Sequence, residues 1–276
     1  MGGDLVVHRL GIGTNRITGP GFWGEPADRQ GAVALLRRAL RLGVTLIDTA
    51  DSYGPGVSES LIADALHPYP EDLLIVTKGG YVRPGPGQWR PNGRPEHLRA
   101  ALEGSLRRLR LQQIRLYLFH EVDPEVPIEE SVGVLAEMQA EGKIHHIGVS
   151  NVDITQLRRA QAVTQIVVVQ NRYNLMNRAS DDLVEICERE GLGFMIWDPL
   201  ATGSLARSEG LIRQIALHHG ATCAQIALAS LLHRSPVMLP IPGTSTVTHL
   251  EENLQATQIR LSAEEYDLLD HLPRTH

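Results

Sequence analysis

Long apolar runs, cysteines, aromatic side chains and blocks of positive charge are all scarce in this chain, and each scarcity excludes something. No stretch approaches the roughly 18 apolar residues of a membrane-spanning helix, so no membrane partner is expected. The two cysteines, Cys187 and Cys223, lie far apart in unlike contexts, which argues against a disulfide framework and fits a reducing compartment. The opening MGGDLVVHRLGIG shows neither an apolar segment nor a cleavage-like site, and a cytoplasmic protein is expected. Lys plus Arg total 26 against 32 Asp plus Glu, giving a net charge of −6 without a basic block. Nucleic acid is therefore not an expected partner. Two histidine pairs, His145-His146 and His218-His219, have no carboxylate or thiol at metal-ligand spacing. They read as structural or surface residues, and no metal is expected.

What is present is a repeating pattern. The 276 residues are 42% hydrophobic, enough for a core that buries about three quarters of the unfolded surface. Short β-branched runs fall at 9–13, 44–48, 73–78, 114–120, 146–150, 166–170, 193–197 and 237–240. They are continuously apolar, as strands buried on both faces are. Amphipathic segments separate them, at 28–42, 58–66, 95–109, 128–141, 155–162, 180–190, 222–232 and 247–256. A last helix is expected at 262–269, where Ser262 and Glu265 form a capping box. Eight such units predict an α/β fold, a (β/α)₈ TIM barrel with accessory C-terminal helices, as one domain over residues 1–276. An open doubly wound sheet fits less well, because Gly11-Ile12-Gly13 leads into a loop and no Gly-x-Gly-x-x-Gly opens a helix.

The strand ends carry the chemistry. They read Thr14, Asp48, Lys78, His120, Ser150-Asn151, Gln170-Asn171, Trp197 and Gly243-Thr244. A barrel gathers such ends on one face. Most of the few aromatics fall on the same ends or in the loops beyond them: Phe22, Trp23, Tyr53, Tyr81, Trp89, Tyr173 and Trp197. Each polar residue alone has an ordinary reading, as turn former, solvated strand end or structural histidine. Together, Asp48, Tyr53, Lys78 and His120 suit protonation of an oxyanion. A phenol is a weak acid at neutral pH. A lysine ammonium beside it stabilises the phenolate and is expected to lower its pKa. An aspartate would hold the lysine, and a neutral histidine would orient a carbonyl oxygen.

In this order, the stretches IDTADSYGPGVSE, VTKGG, YLFH, GKIHHIGVSN, VVVQNRYNL and LPIPGTSTVTHLEEN resemble the aldo-keto reductase superfamily over essentially the whole chain. The resemblance implies a barrel, an NAD(P)H cofactor and a catalytic tetrad of Asp48, Tyr53, Lys78 and His120, with Tyr53 as acid. It further implies that Ser150, Asn151 and Gln170 bond the nicotinamide carboxamide and that Trp197 stacks on its ring. Pro199, Leu200 and Gly203 would belong to a loop over the pyrophosphate. Gly243, Thr244 and Ser245 would meet the phosphates at a helix N-terminus. His249 would lie near the 2′-phosphate, and Glu252 and Asn253 would meet the adenine end. Some branches carry lysine and arginine where this chain has Gly243 and His249; NADPH is expected, with NADH as the alternative. The chain stops at His276 without the long C-terminal loop of the steroid-handling branch, so a more open pocket is expected.

The expected function is reduction of an aldehyde or ketone to an alcohol, by hydride from the nicotinamide and a proton from Tyr53. The substrate pocket falls in loops 16–26 and 82–92, with Trp23 and Trp89, and pyridoxal is one substrate that the branch suggests. The alternative from another class is a nicotinamide-binding regulatory subunit with little turnover. A monomer or a weak homo-oligomer is expected.

Overall fold

Strands that are apolar on both faces need cover on both faces, and a closed parallel sheet ringed by helices supplies it. In a computed structural model, which describes residues 1–273, eight strands pair in chain order. They are β1 (Ile12–Gly13), β2 (Leu46–Asp48), β3 (Leu74–Gly79), β4 (Ile114–Phe119), β5 (Ile144–Ser150), β6 (Ile166–Arg172), β7 (Gly193–Trp197) and β8 (Met238–Pro240). Every ladder between neighbours is parallel. Gly13 bridges Gly243, while the amides of Gly11 and Gly13 donate to the carbonyls of Pro240 and Pro242 at 3.0 and 3.3 Å. The first strand thus meets the run leaving the last, and the expected barrel closes. The backbones come so near at this seam that a Cβ on Gly13 would stand 2.8 Å from the carbonyl oxygen of Ile241.

Two cores result. Leu46, Leu74, Val76, Leu116, Leu118, Val168, Met195 and Leu239 fill the barrel, and Leu5 joins them. A larger cluster lies between strands and outer helices, with Leu36, Ile62, Leu102, Tyr117, Leu135 and Phe194 among its members. The helices are α1 (Arg29–Arg41), α2 (Val57–Leu66), α3 (Pro95–Leu109), α4 (Ile128–Ala140), α5 (Ile154–Gln161) and α6 (Asp181–Glu190). After them come α7 (Leu211–His218), α8 (Cys223–Arg234), α9 (Val247–Gln255) and α10 (Ala263–Asp270). Side-chain caps start α1 and α10: Asp28 accepts from the Gly31 amide, and the Ser262–Glu265 capping box is complete.

Some boundaries differ from the sequence pattern. The first strand is two residues long instead of five: its ladder to β2 pairs only Ile12 and Gly13, and Gly11 is held by the single bond to Pro240 at the seam. Helix α7 was not anticipated; Ile212, Ile215 and Ala216 pack it into a satellite core with Ile226 of α8 and Leu269 of α10. Tyr81–Val82 and Arg90–Pro91 form an unanticipated antiparallel hairpin that stands over the end of β3. Tyr173, expected on the rim, is fully buried. One residue past β6, it turns toward α6, where its hydroxyl meets Asp181 and Arg178, each at 2.5 Å. Residues 274–276 of the expected domain lie outside the described residues. Among the described residues no single helix is long and apolar enough to cross a membrane.

Candidate active site

The carboxyl ends of β2, β3 and β4 stand side by side, which brings Asp48, Lys78 and His120 together. Lys78 is completely buried, and its Nζ donates to Asp48 Oδ2 at 2.7 Å, to the Thr49 carbonyl at 2.8 Å and to the Tyr53 hydroxyl at 3.5 Å. Burial pushes the Lys78 ammonium below its usual value and the Asp48 carboxyl above it, and in each case the partner's charge opposes the shift. The other Asp48 oxygen accepts from Gln170 Nε2 at 2.8 Å. Gln170, expected at the nicotinamide carboxamide, thus turns its amide nitrogen to Asp48.

Tyr53 sits in the turn between β2 and α2. Its ring lies edge-on to the His120 ring, with centroids 5.9 Å apart. Its phenol does not have the lowered pKa that the lysine suggested. Burial raises it well above the ordinary value, with the Asp48 charge as the next cause. Lys78 Nζ stands 3.5 Å from the phenol oxygen, and loss of water around the phenol outweighs what that contact offers the phenolate. His120 is held neutral, well below its usual value, first by burial and then by the cations Lys78 and Arg83. Its Nδ1 lies 3.4 Å from the Ser52 hydroxyl. With Ser52 as donor, the ring proton stays on Nε2.

Around this group runs an aromatic wall. Trp89 lies edge-on to Tyr53, Tyr81 and His120, at 6.3, 5.2 and 6.4 Å, and Phe22 is 6.2 Å from it. Trp23 is further out; it connects to the wall through Arg83, whose guanidinium is 5.8 Å from its ring. Arg83 escaped the sequence reading, yet it ties the pocket together. It stacks 3.6 Å from the Trp89 centroid and donates to the carbonyls of Gln88, Phe22, Ser52 and Gly21 at 2.7–3.0 Å. One buried cation thus fastens three loops. The only sequence signal was an arginine in the Pro- and Gly-rich stretch YVRPGPGQWR.

The expected cofactor residues line the adjoining face. Ser150 ends β5 with its hydroxyl buried and without a partner among the described residues, an orphan that fits a ligand amide. Asn151 follows in left-handed backbone, φ 56°. It donates to the His120 carbonyl at 3.2 Å and accepts from the Trp197 indole at 2.8 Å. Trp197 remains 37% exposed, a large ring open for stacking. Beyond it, Asp198, Ala201 and Thr202 all have positive φ, so the loop of Pro199, Leu200 and Gly203 is held in a costly shape. Asp198 braces it, accepting from the Thr202 amide and pairing with Arg172.

Gly243 lies at the barrel seam, where a Cβ would stand 2.7 Å from Asn15 Oδ1 and 3.1 Å from Arg16 Cγ. A side chain at 243 would have to displace those of Asn15 and Arg16. Thr244 is buried and its hydroxyl accepts from the Thr246 amide at 3.1 Å, while Ser245 is exposed. His249 is exposed in the first turn of α9, which Thr246 caps. Glu252 is half-buried and Asn253 is buried, one turn further on. Both histidine pairs turn out to meet carboxylates: Asp4 beside His145 and His146, and Glu265 beside His218 and His219. These partners are distant in sequence, so spacing could not reveal them.

Residues 9–274 match the Aldo/keto reductase family. The chain is 42% identical over 278 residues to pyridoxine 4-dehydrogenase of Escherichia coli, covering 99% of this chain and 97% of that one. It is 46% identical over 268 residues to an uncharacterized oxidoreductase of Schizosaccharomyces pombe, covering 97% and 87%. A crystal structure of an aldo/keto reductase from Klebsiella pneumoniae with NADP and acetate superposes with a TM-score of 0.84. It is 31% identical and covers all of this chain and 95% of that one.

Proposed function

Since the chain belongs to the aldo/keto reductase family, whose members are oxidoreductases acting on small carbonyl compounds with nicotinamide cofactors, we propose that it reduces an aromatic aldehyde with NADPH, using Tyr53 as the acid. The observation that carries this reading is the convergence of Tyr53, Lys78, Asp48 and His120 at one buried point under an aromatic wall.

Bound nicotinamide supplies the hydride. The chain supplies everything around it. Ser150 and Asn151 offer hydrogen-bonding groups to the carboxamide, and Trp197 offers a ring face. The His120 Nε2–H and the Tyr53 hydroxyl converge on a carbonyl oxygen and fix its position. As that oxygen gains negative charge, Tyr53 gives up its proton to it. The phenolate left behind is stabilised by the ammonium of Lys78, which Asp48 and the Thr49 carbonyl hold in place. The raised pKa of Tyr53 keeps the phenol protonated, and so ready to donate, across the physiological range.

The edge-on rings of Trp89 and Tyr81 favour a planar substrate. Four of the five N–H groups of Arg83 are taken up by carbonyls, leaving little of its hydrogen-bonding capacity for a substrate anion. Pyridoxal, the aldehyde that the name of the Escherichia coli relative points to, is planar and is the first compound to test. The experiment follows NADPH and NADH oxidation with pyridoxal, an aliphatic aldehyde and a sugar aldehyde. Turnover fastest with pyridoxal and NADPH is expected. Tight cofactor binding without turnover of any aldehyde would overturn the proposal in favour of a regulatory nicotinamide-binding role.

A further inference from the structure

The amino-terminal segment closes the barrel end away from the candidate active site. Leu5 enters the barrel core, and the turn before it is closed by the Leu5 amide donating to the Met1 carbonyl at 3.0 Å. Gly2 and Gly3 both have positive φ, and a Cβ on Gly2 would fall 2.6 Å from the His146 ring. The turn can therefore lie over that ring only with glycine there. Its consequence is to set Asp4 against the start of β5. Asp4 Oδ1 lies 2.6 Å from His146 Nε2, and Oδ2 lies 2.8 Å from His145 Nε2. The two rings are 4.2 Å apart at their centroids, and the three donor groups converge within 4.8 Å.

We propose that Asp4, His145 and His146 form a binding site for a divalent transition-metal ion of the zinc type, which fastens the amino-terminal plug to β5. Two imidazole nitrogens and one carboxylate oxygen suit zinc or cobalt and suit the hard ions magnesium and calcium poorly. Ligands about 2.0–2.2 Å from such an ion stand about 3.3–3.6 Å from one another in a tetrahedron. The observed separations of 2.6 and 2.8 Å need to open by less than about 1 Å to admit it. Asp4 has no other hydrogen-bond partner among the described residues, so its two carboxylate oxygens face only the two imidazoles. The second histidine pair is built differently. Glu265 contacts His219 with both oxygens and also accepts the Ser262 amide in the α10 capping box. Its carboxylate is engaged in the helix start, which makes that cluster a control.

The test uses the full chain without a histidine tag. Zinc binding is measured by competition with a chromophoric chelator, and cobalt binding by its visible absorption. One equivalent of zinc is expected, with His146→Gln and Asp4→Asn each weakening it at least ~10-fold and His218→Gln/His219→Gln leaving it unchanged. Zinc should raise the Tm of the wild type, by binding the folded chain only, and should not raise that of His146→Gln. The proposal is overturned if the wild type takes up no zinc, or if folded Asp4→Asn and His146→Gln retain its affinity. It is equally overturned if the control variant is the one that loses the ion.

Discussion

Lys78 reaches three oxygens, and the nearest belongs to Asp48 at 2.7 Å. Both charges are sealed from water, so each depends on the other. Removing one partner of a buried pair typically costs about 3–5 kcal/mol, far more than replacing both. Asp48→Asn should therefore lower the denaturant midpoint sharply. Asp48→Asn combined with Lys78→Met should recover most of that stability while leaving carbonyl reduction as low as in Lys78→Met alone. The comparison separates the structural part of the ion pair from its proposed part in catalysis. Activity regained together with stability would show that the cation has no part in catalysis. At the same scale, Arg83 illustrates why some functional residues are hidden in a sequence. Its partners are backbone carbonyls of residues 21, 22, 52 and 88, and carbonyls have no letter in the sequence.

Elements set two further properties. Helix α9 starts at Val247 beside the β1–β8 seam, where its N-terminus can receive a phosphate. The open position there is His249, while position 243 is walled by Asn15 and Arg16. His249→Arg should tighten NADPH by about 2–5-fold, the scale of an exposed ion pair, and leave NADH unchanged. Gly243→Lys should weaken both cofactors by displacing the seam. Fluorescence titration of each cofactor decides; equal effects of His249→Arg on the two would contradict the phosphate assignment. The second property lies between β2 and α2. Asp51 has one carboxyl oxygen sealed from water and unpartnered, and burial, then Glu59, push its carboxyl up to about 8. Between about 4 and 8 the folded chain keeps a proton that the unfolded chain releases, so stability is lost as pH rises through that window. Asp51→Asn should raise Tm at pH 8, about 2–4 °C for each kcal/mol recovered, with a smaller gain at pH 5. A gain independent of pH would contradict the assignment.

For the whole molecule, the barrel and the meeting of Asp48, Tyr53, Lys78 and His120 were legible because both follow from short-range pattern. Doubly apolar runs become parallel strands, and strand ends meet on one face whatever the loops do. Asp48, Lys78 and His120 needed only that rule, and Tyr53 needed its nearness to Asp48. Less was legible wherever the outcome depends on contacts between distant segments. Gln170 bonds Asp48 across 122 residues, so this contact could not be read from VVVQN. The direction of the Tyr53 shift depends on how completely loops 16–26 and 82–92 exclude water, and those loop shapes are not in any local pattern. The satellite core around α7 and the meeting of Asp4 with His145 and His146 are hidden for the same reason. The proposed activity of the barrel as a unit rests on the Tyr53 proton, and Tyr53→Phe removes it while preserving the ring. The measurement is the rate of pyridoxal reduction by NADPH in wild type and Tyr53→Phe, with the NADPH dissociation constant of each. The expected result is a fall in kcat of at least ~10²-fold with cofactor affinity unchanged. Near-normal turnover by Tyr53→Phe would contradict the role of the phenol as the acid.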